Sequence, residues 1–132
     1  MGQTHDSSIM VIGNNAHFCY LMRRYIRKSK YQILFSTLGD DALTLARREK
    51  PDAIILEAIG SAALSWQMLR ALKGYPETQS IPVVLCSWHD ETMHGMQEGA
   101  NACLRMPILF DDFLGALTHI GVMKPHTKDI SP

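Results

Sequence analysis

The stretch Pro51-Asp52-Ala53-Ile54-Ile55-Leu56-Glu57 constrains the fold more than any other. An unbroken apolar run of this kind ends on a single carboxylate. Such a run suits a strand covered by helices on both faces, which has no solvent side against which to alternate. Ile9 to Ile12, Ile81 to Cys86 and Ala102 to Arg105 read the same way, and Tyr31 to Phe35 reads as a further short strand. The segments between them change period. Phe18, Leu21, Met22, Tyr25 and Ile26 recur at helical spacing, with Arg23, Arg24, Arg27 and Lys28 on the other side. Asp40 and Asp41 open a second helix that turns Leu38, Ala42, Leu45 and Ala46 inward. A third helix is expected around Trp66, Leu69 and Leu72, ended by Gly74 and Pro76. A weak fourth runs from an Asp90 cap through Gln97, with Gly99 as its stop. The last carries Phe110, Phe113, Leu114 and Leu117, with Asp111 and Asp112 in its first turn.

Strands alternating with helices in this way predict an α/β fold in three layers. The sheet is expected to be doubly wound, five-stranded and parallel, in the flavodoxin-like order 2-1-3-4-5. That order brings the ends of the first and third strands together. Function collects at this switch point, so Glu57 is expected to face Gly13-Asn14, with Ser87 and Met106 alongside. The expected domain is 8–122, with flexible tails at 1–7 and 123–132.

Composition narrows the function classes. Thirteen basic and thirteen acidic side chains leave no net charge, which argues against a whole-domain electrostatic grip on nucleic acid or an anionic membrane. No apolar run approaches the ~18 residues of a membrane span, and the polar start is no signal peptide. Cys19, Cys86 and Cys103 lie in apolar contexts without paired spacing. They fit small core residues of a reducing cytoplasm. No glycine-rich phosphate loop follows a strand, and no nucleophile–histidine order suggests a hydrolase. The chain is therefore read as a non-enzyme without a cofactor.

Four fragments in the right order resemble the receiver domain of bacterial two-component response regulators, over roughly residues 8 to 122. Ile9-Met10-Val11-Ile12 is similar to the family's first strand. Pro51 to Leu56 is similar to the lead into its phosphoacceptor. Ile81-Pro82-Val83-Val84-Leu85-Cys86-Ser87 resembles the strand carrying its switch hydroxyl. Glu98-Gly99-Ala100-Asn101-Ala102-Cys103-Leu104, then Met106-Pro107, resembles the run leading to its Lys-Pro pair. The resemblance implies five working groups: two acids holding Mg²⁺, a phosphoacceptor Asp, a hydroxyl and a Lys. At those positions this chain has Gly13 and Asn14, Glu57, Ser87 and Met106; only the hydroxyl and the following Pro107 match.

Each loss points toward a silent site. Mg²⁺ is held by hard, near-octahedral oxygen ligands, usually including carboxylates. Glycine offers no side-chain oxygen and asparagine only a neutral one. Without the cation or the lysine, nothing neutralises a dianionic phosphoryl donor approaching Glu57. Glutamate also shifts the acceptor oxygen by about 1–1.5 Å relative to aspartate. Asn14 and Ser87 are the side chains expected to donate hydrogen bonds to Glu57. A charge so poorly compensated predicts that Glu57→Gln is neutral or stabilising at neutral pH. A second reading makes Glu57 a partial imitation of phosphoaspartate, with fewer charges and fewer acceptor oxygens.

The function implied is a pseudo-receiver in two-component or phosphorelay signalling, unphosphorylated and acting as a protein-interaction module. Its expected surface is the fourth helix, fifth strand and fifth helix, where Cys103 replaces the family's usual aromatic residue; a homodimer is one option for the partner. The alternatives are an atypical phosphoacceptor at Glu57 with unconventional metal binding, and a small-ligand binder over Glu57. Trp88 stands beside the hydroxyl, where it can lid the pocket; Met93, Met96 and Met106 fall on or near the contact surface, with ordinary packing the preferred role for these thioethers. His89 and His94 are read as solvated, and so is the basic stripe Arg23, Arg24, Arg27, Lys28 and Lys30.

Overall fold

In the computed structural model, residues 7–58, 63–90 and 92–122 are described. The tails expected at 1–7 and 123–132 lie outside them, apart from Ser7. The strands are β1 (Ser8–Ile12), β2 (Gln32–Ser36), β3 (Ala53–Glu57), β4 (Val83–Ser87) and β5 (Ala102–Arg105). They alternate with α1 (Ala16–Ile26), α2 (Asp40–Glu49), α3 (Ala63–Gly74), α4 (Thr92–Gln97) and α5 (Phe110–His119). The sheet is parallel throughout and runs β2-β1-β3-β4-β5. This is the expected doubly wound fold.

Every residue of β1, β3 and β4 is buried, because helices cover both faces. The period-2 alternation of strands divides their side chains into two cores. Met10, Ile12, Ile54, Leu56 and Leu85 pack with Ala42 and Ala46 of α2 and Leu69 and Leu72 of α3. Ile9, Val11, Ile55, Val84 and Cys86 pack with Phe18, Met22 and Ile26 of α1 and Phe113 and Leu117 of α5. Register then sets the functional end: Ile12 pairs with Leu56, Glu57 with Cys86, and Ser87 with Arg105.

Two strands start later than the sequence reading, each for a local reason. The second strand starts at Gln32 because Tyr31 is drawn into a turn, its N–H donating to Ser29 Oγ at 3.1 Å while its hydroxyl bonds Val122 O. The fourth starts at Val83, since the Ile81 N–H closes a turn onto Thr78 O at 3.0 Å. α4 comes close to the sheet because residue 95 is glycine. A Cβ there would stand 2.7 Å from Cys103 Sγ.

Candidate functional site

The first loop is organised by asparagines. Asn15 caps α1, its Oδ1 accepting from Phe18 N at 2.9 Å. Asn14 Oδ1 accepts from Leu38 N at 3.1 Å and so ties this loop to the one after β2. With both side chains engaged, the two backbone N–H groups turn toward the end of β3. Glu57 Oε1 accepts from Asn14 N at 2.9 Å and from Asn15 N at 3.2 Å. The carboxylate is 2% exposed and sits at the positive end of α1, where the helix dipole favours an anion. Among the described residues no ion pair reaches it.

Gly13 lies directly beneath this carboxylate. A Cβ built on it would stand 2.6 Å from Glu57 Oε1, 3.1 Å from Glu57 Cβ and 3.1 Å from Phe18 Cδ2. Absence of a side chain at 13 and the length of the side chain at 57 are thus one arrangement. Glutamate occupies the space over residue 13.

The structure brings Gly13, Asn14 and Glu57 together, as the switch point requires, but the expected donors are corrected. The backbone of Asn14 and Asn15 donates, whereas the Asn14 side chain accepts from Leu38. Ser87 Oγ accepts from His89 N at 3.1 Å within its own loop. Met106 is buried among Ile108, Phe113 and Leu117 in the α1–α5 core, so it is no part of a contact surface. Its N–H donates to Ser87 O at 2.8 Å, and the Met106–Pro107 peptide is cis. Trp88 does not act as a lid: it is 59% exposed. A small cleft lies instead between β4, β5 and the start of α4, lined by Ser87, His89, Thr92, Cys103 and Arg105 among others. Glu57 is not among its walls.

His94 also departs from a simple solvated reading. Its ring stacks on Trp66 at 4.0 Å between centroids, and Nε2 lies 3.4 Å from Glu98. Glu98 in turn pairs with Arg70 Nε at 2.8 Å, which holds its carboxyl below the usual carboxylate range. The spacing of His94 and Glu98 could have shown their pairing, but nothing in the sequence placed Trp66 opposite.

Burial raises both thiols around the site. Burial raises the Cys19 thiol, the Glu57 charge adds to this, and Arg23 opposes. Cys86 is fully buried on β4 and is raised much further, by burial first, then by Cys103 and Glu57. Since the thiolate is the nucleophile, Cys86 should resist a thiol reagent at pH 8 until the domain unfolds. Labelling of Cys86 in native protein at the rate of a free thiol would contradict this burial.

The residues at hand do not suit a divalent cation. Gly13 has no ligand, the Asn14 side-chain oxygen is engaged, and Glu57 Oε1 already accepts two N–H groups. Hard cations of this kind need several oxygens at once. Among the described residues, no three metal-ligating side chains of His, Cys, Asp or Glu converge.

No family model matches the chain. It is 27% identical over 103 residues to protein PilH of Pseudomonas aeruginosa, covering 76% of this chain and 85% of that one. It is 29% identical over 106 residues to the response regulator PleD of Caulobacter vibrioides. That match takes in 78% of this chain but 23% of PleD, so the chain spans under a quarter of that relative's length. Among solved structures, it superposes on the receiver domain of the sensor histidine kinase PA1611 of Pseudomonas aeruginosa with a TM-score of 0.75 at 17% identity. That superposition covers 88% of this chain and 98% of the other. By its fold and these relatives the chain is similar to receiver domains of the response-regulator type.

Proposed function

We propose that this receiver domain does not accept a phosphoryl group on Glu57 and works as a protein-interaction module, a pseudo-receiver. The observation that carries the reading is the seating of Glu57. Its Oε1 caps the Asn14 and Asn15 N–H groups and fills the volume over Gly13. A phosphoryl acceptor needs an oxygen free for in-line attack and cations to neutralise the transferring group. Here one carboxylate oxygen is committed to two donors, and Met106 offers a thioether where the family pattern has an ammonium. The structure with which the chain superposes is described as holding a magnesium ion in its active-site cleft; this chain lacks the acidic pair to hold one.

The interaction surface is the α4–β5–α5 side. Trp88, Met93 and Met96 expose 59%, 77% and 47% of their surface on α4 and the loop before it. Aromatic and thioether side chains are enriched at protein interfaces and adapt to varied partners. The partner is a signalling protein of the same class of pathway, and the domain acts on it without catalysing a reaction.

Acetyl phosphate with millimolar Mg²⁺ should leave the intact mass unchanged, and Mg²⁺ alone should not raise the melting temperature. A site occupied at a hundredfold excess over its Kd would add about 2.7 kcal/mol, a shift no thermal scan would miss. One phosphoryl group per chain mapped to Glu57 would replace this reading with the atypical phosphoacceptor.

A further inference from the structure

The chain has no net charge, yet its charges are segregated. From Ser7 to Gly39 there are five cations, Arg23, Arg24, Arg27, Lys28 and Lys30, and no carboxylate. All thirteen acids therefore lie elsewhere, with only eight basic residues among them. The cations cluster on the C-terminal half of α1 and the turn after it, and all five are exposed. Among the described residues none is in an ion pair. Three lie over aromatic rings: Arg23 at 4.7 Å over Phe35, Lys28 at 4.4 Å over Phe110 and, more loosely, Arg24 at 6.0 Å over Tyr20.

The Lys28–Phe110 contact fixes where matching acids stand. Phe110 is the first residue of α5, and Asp111 and Asp112 follow it, both exposed and neither in an ion pair among the described residues. α1 and α5 share one layer, joined by Tyr25 packed on Phe110 and Phe113 at 5.2 and 5.3 Å between centroids. The Tyr25 hydroxyl also donates to Ile108 O at 2.7 Å. One side of the domain therefore carries a cationic patch and an acidic patch next to each other. Tyr20 and Leu109, 56% and 63% exposed, add apolar surface to the same two helices.

We infer that the α1–α5 face is a self-association surface, on which α1 of one copy meets the first turn of α5 of another. A two-fold contact matches patch to patch reciprocally, so a face with both signs side by side complements its own copy. The absence of net charge removes the long-range repulsion that usually keeps small domains apart. A foreign acidic partner would account for the cations alone; a second copy accounts for both patches. Arginine and tyrosine at the centre suit such an interface. The contact lies on a different face from α4 and stands or falls independently of the phosphorylation state of Glu57.

Sedimentation velocity on the full chain tests this at about 0.05 M and about 0.5 M salt, across a range at which charge pairs pass from felt to screened. The expected result is a reversible dimer at low salt whose association weakens at least tenfold at high salt. Arg24→Glu with Arg27→Glu should be monomeric, and so should Asp111→Lys with Asp112→Lys, each checked for native circular dichroism. Mixing the two variants should restore a dimer, because each then presents what the other lacks. A wild-type chain that is monomeric at low salt overturns the proposal, as does a mixture that fails to pair. Monomeric protein retained on heparin through Arg24 and Arg27 would overturn it too, and would assign the stripe to a foreign polyanion.

Discussion

Gly13→Ala should destabilise the domain by about 2–4 kcal/mol, although it adds a single methyl group. The new Cβ would lie 2.6 Å from Glu57 Oε1, closer than real Cβ contacts come. Either the carboxylate swings away and abandons the Asn14 and Asn15 N–H groups, or the loop moves. Overpacking alone costs about 1–3 kcal/mol, and each hydrogen bond to a charged group adds about 1.5–3 when lost. With a denaturant slope of about 2 kcal/mol/M, the urea midpoint should fall by about 1–2 M. Glu57→Asp withdraws the carboxylate, so the cost of Gly13→Ala in that background should shrink by more than about 1 kcal/mol, the size of coupling found between touching residues. Phe18 remains as a residual obstacle at 3.1 Å. Gly115 supplies the control. It lies in α5 with nothing within 4 Å of an added Cβ, so Gly115→Ala should stabilise by about 0.5–1 kcal/mol. If Gly13→Ala behaves like Gly115→Ala, the two residues are not one arrangement and the closed site is wrong.

The fold was legible because its signals lie in side-chain patterns. The solid apolar runs at 9–12 and 53–56 need two covered faces, and the structure gives them none exposed. The order of strands followed from alternation and handedness, since few topologies satisfy both. The site was legible only in part. Bringing Gly13, Asn14 and Glu57 together followed from the switch point, but naming the donors did not. A backbone N–H carries no residue identity, so the two groups that hold Glu57 could not be read from the letters of Asn14 and Asn15. The same letters suggested a side-chain role for Asn14 at Glu57, and its amide oxygen in fact serves Leu38 N. The places of Met106 and Trp88 stayed open for a related reason. A large apolar residue at a strand end suits core and surface equally until the packing of α5 decides between them.

Glu57→Gln should cost about 1–3 kcal/mol at pH 7.5, reversing the expectation drawn from sequence. That expectation counted Asn14 and Ser87 side chains as the only donors and found the charge poorly compensated. The geometry replaces them with two backbone N–H groups at the mouth of α1, bonded at 2.9 and 3.2 Å. Bonds to an ionised acceptor are roughly twice as strong as neutral ones, and a helix N-terminus adds about 0.3–1 kcal/mol for an anion. A glutamine amide keeps an oxygen in the same place but loses both gains, and its NH₂ enters a site where Glu57 needed no donor. Glu57→Ala should cost more, since the two N–H groups lose their acceptor altogether. Urea midpoints of the three proteins at pH 7.5 should therefore fall in the order wild type, Gln, Ala. Backbone amide resonances of Asn14 and Asn15 should shift in the Gln variant while those of β2 stay in place. A Gln variant as stable as wild type, with those two amides unmoved, would show that shape and not charge holds the loop. The imitation of a phosphorylated state by Glu57 would then lose its physical basis, because that reading depends on an anion the first loop recognises.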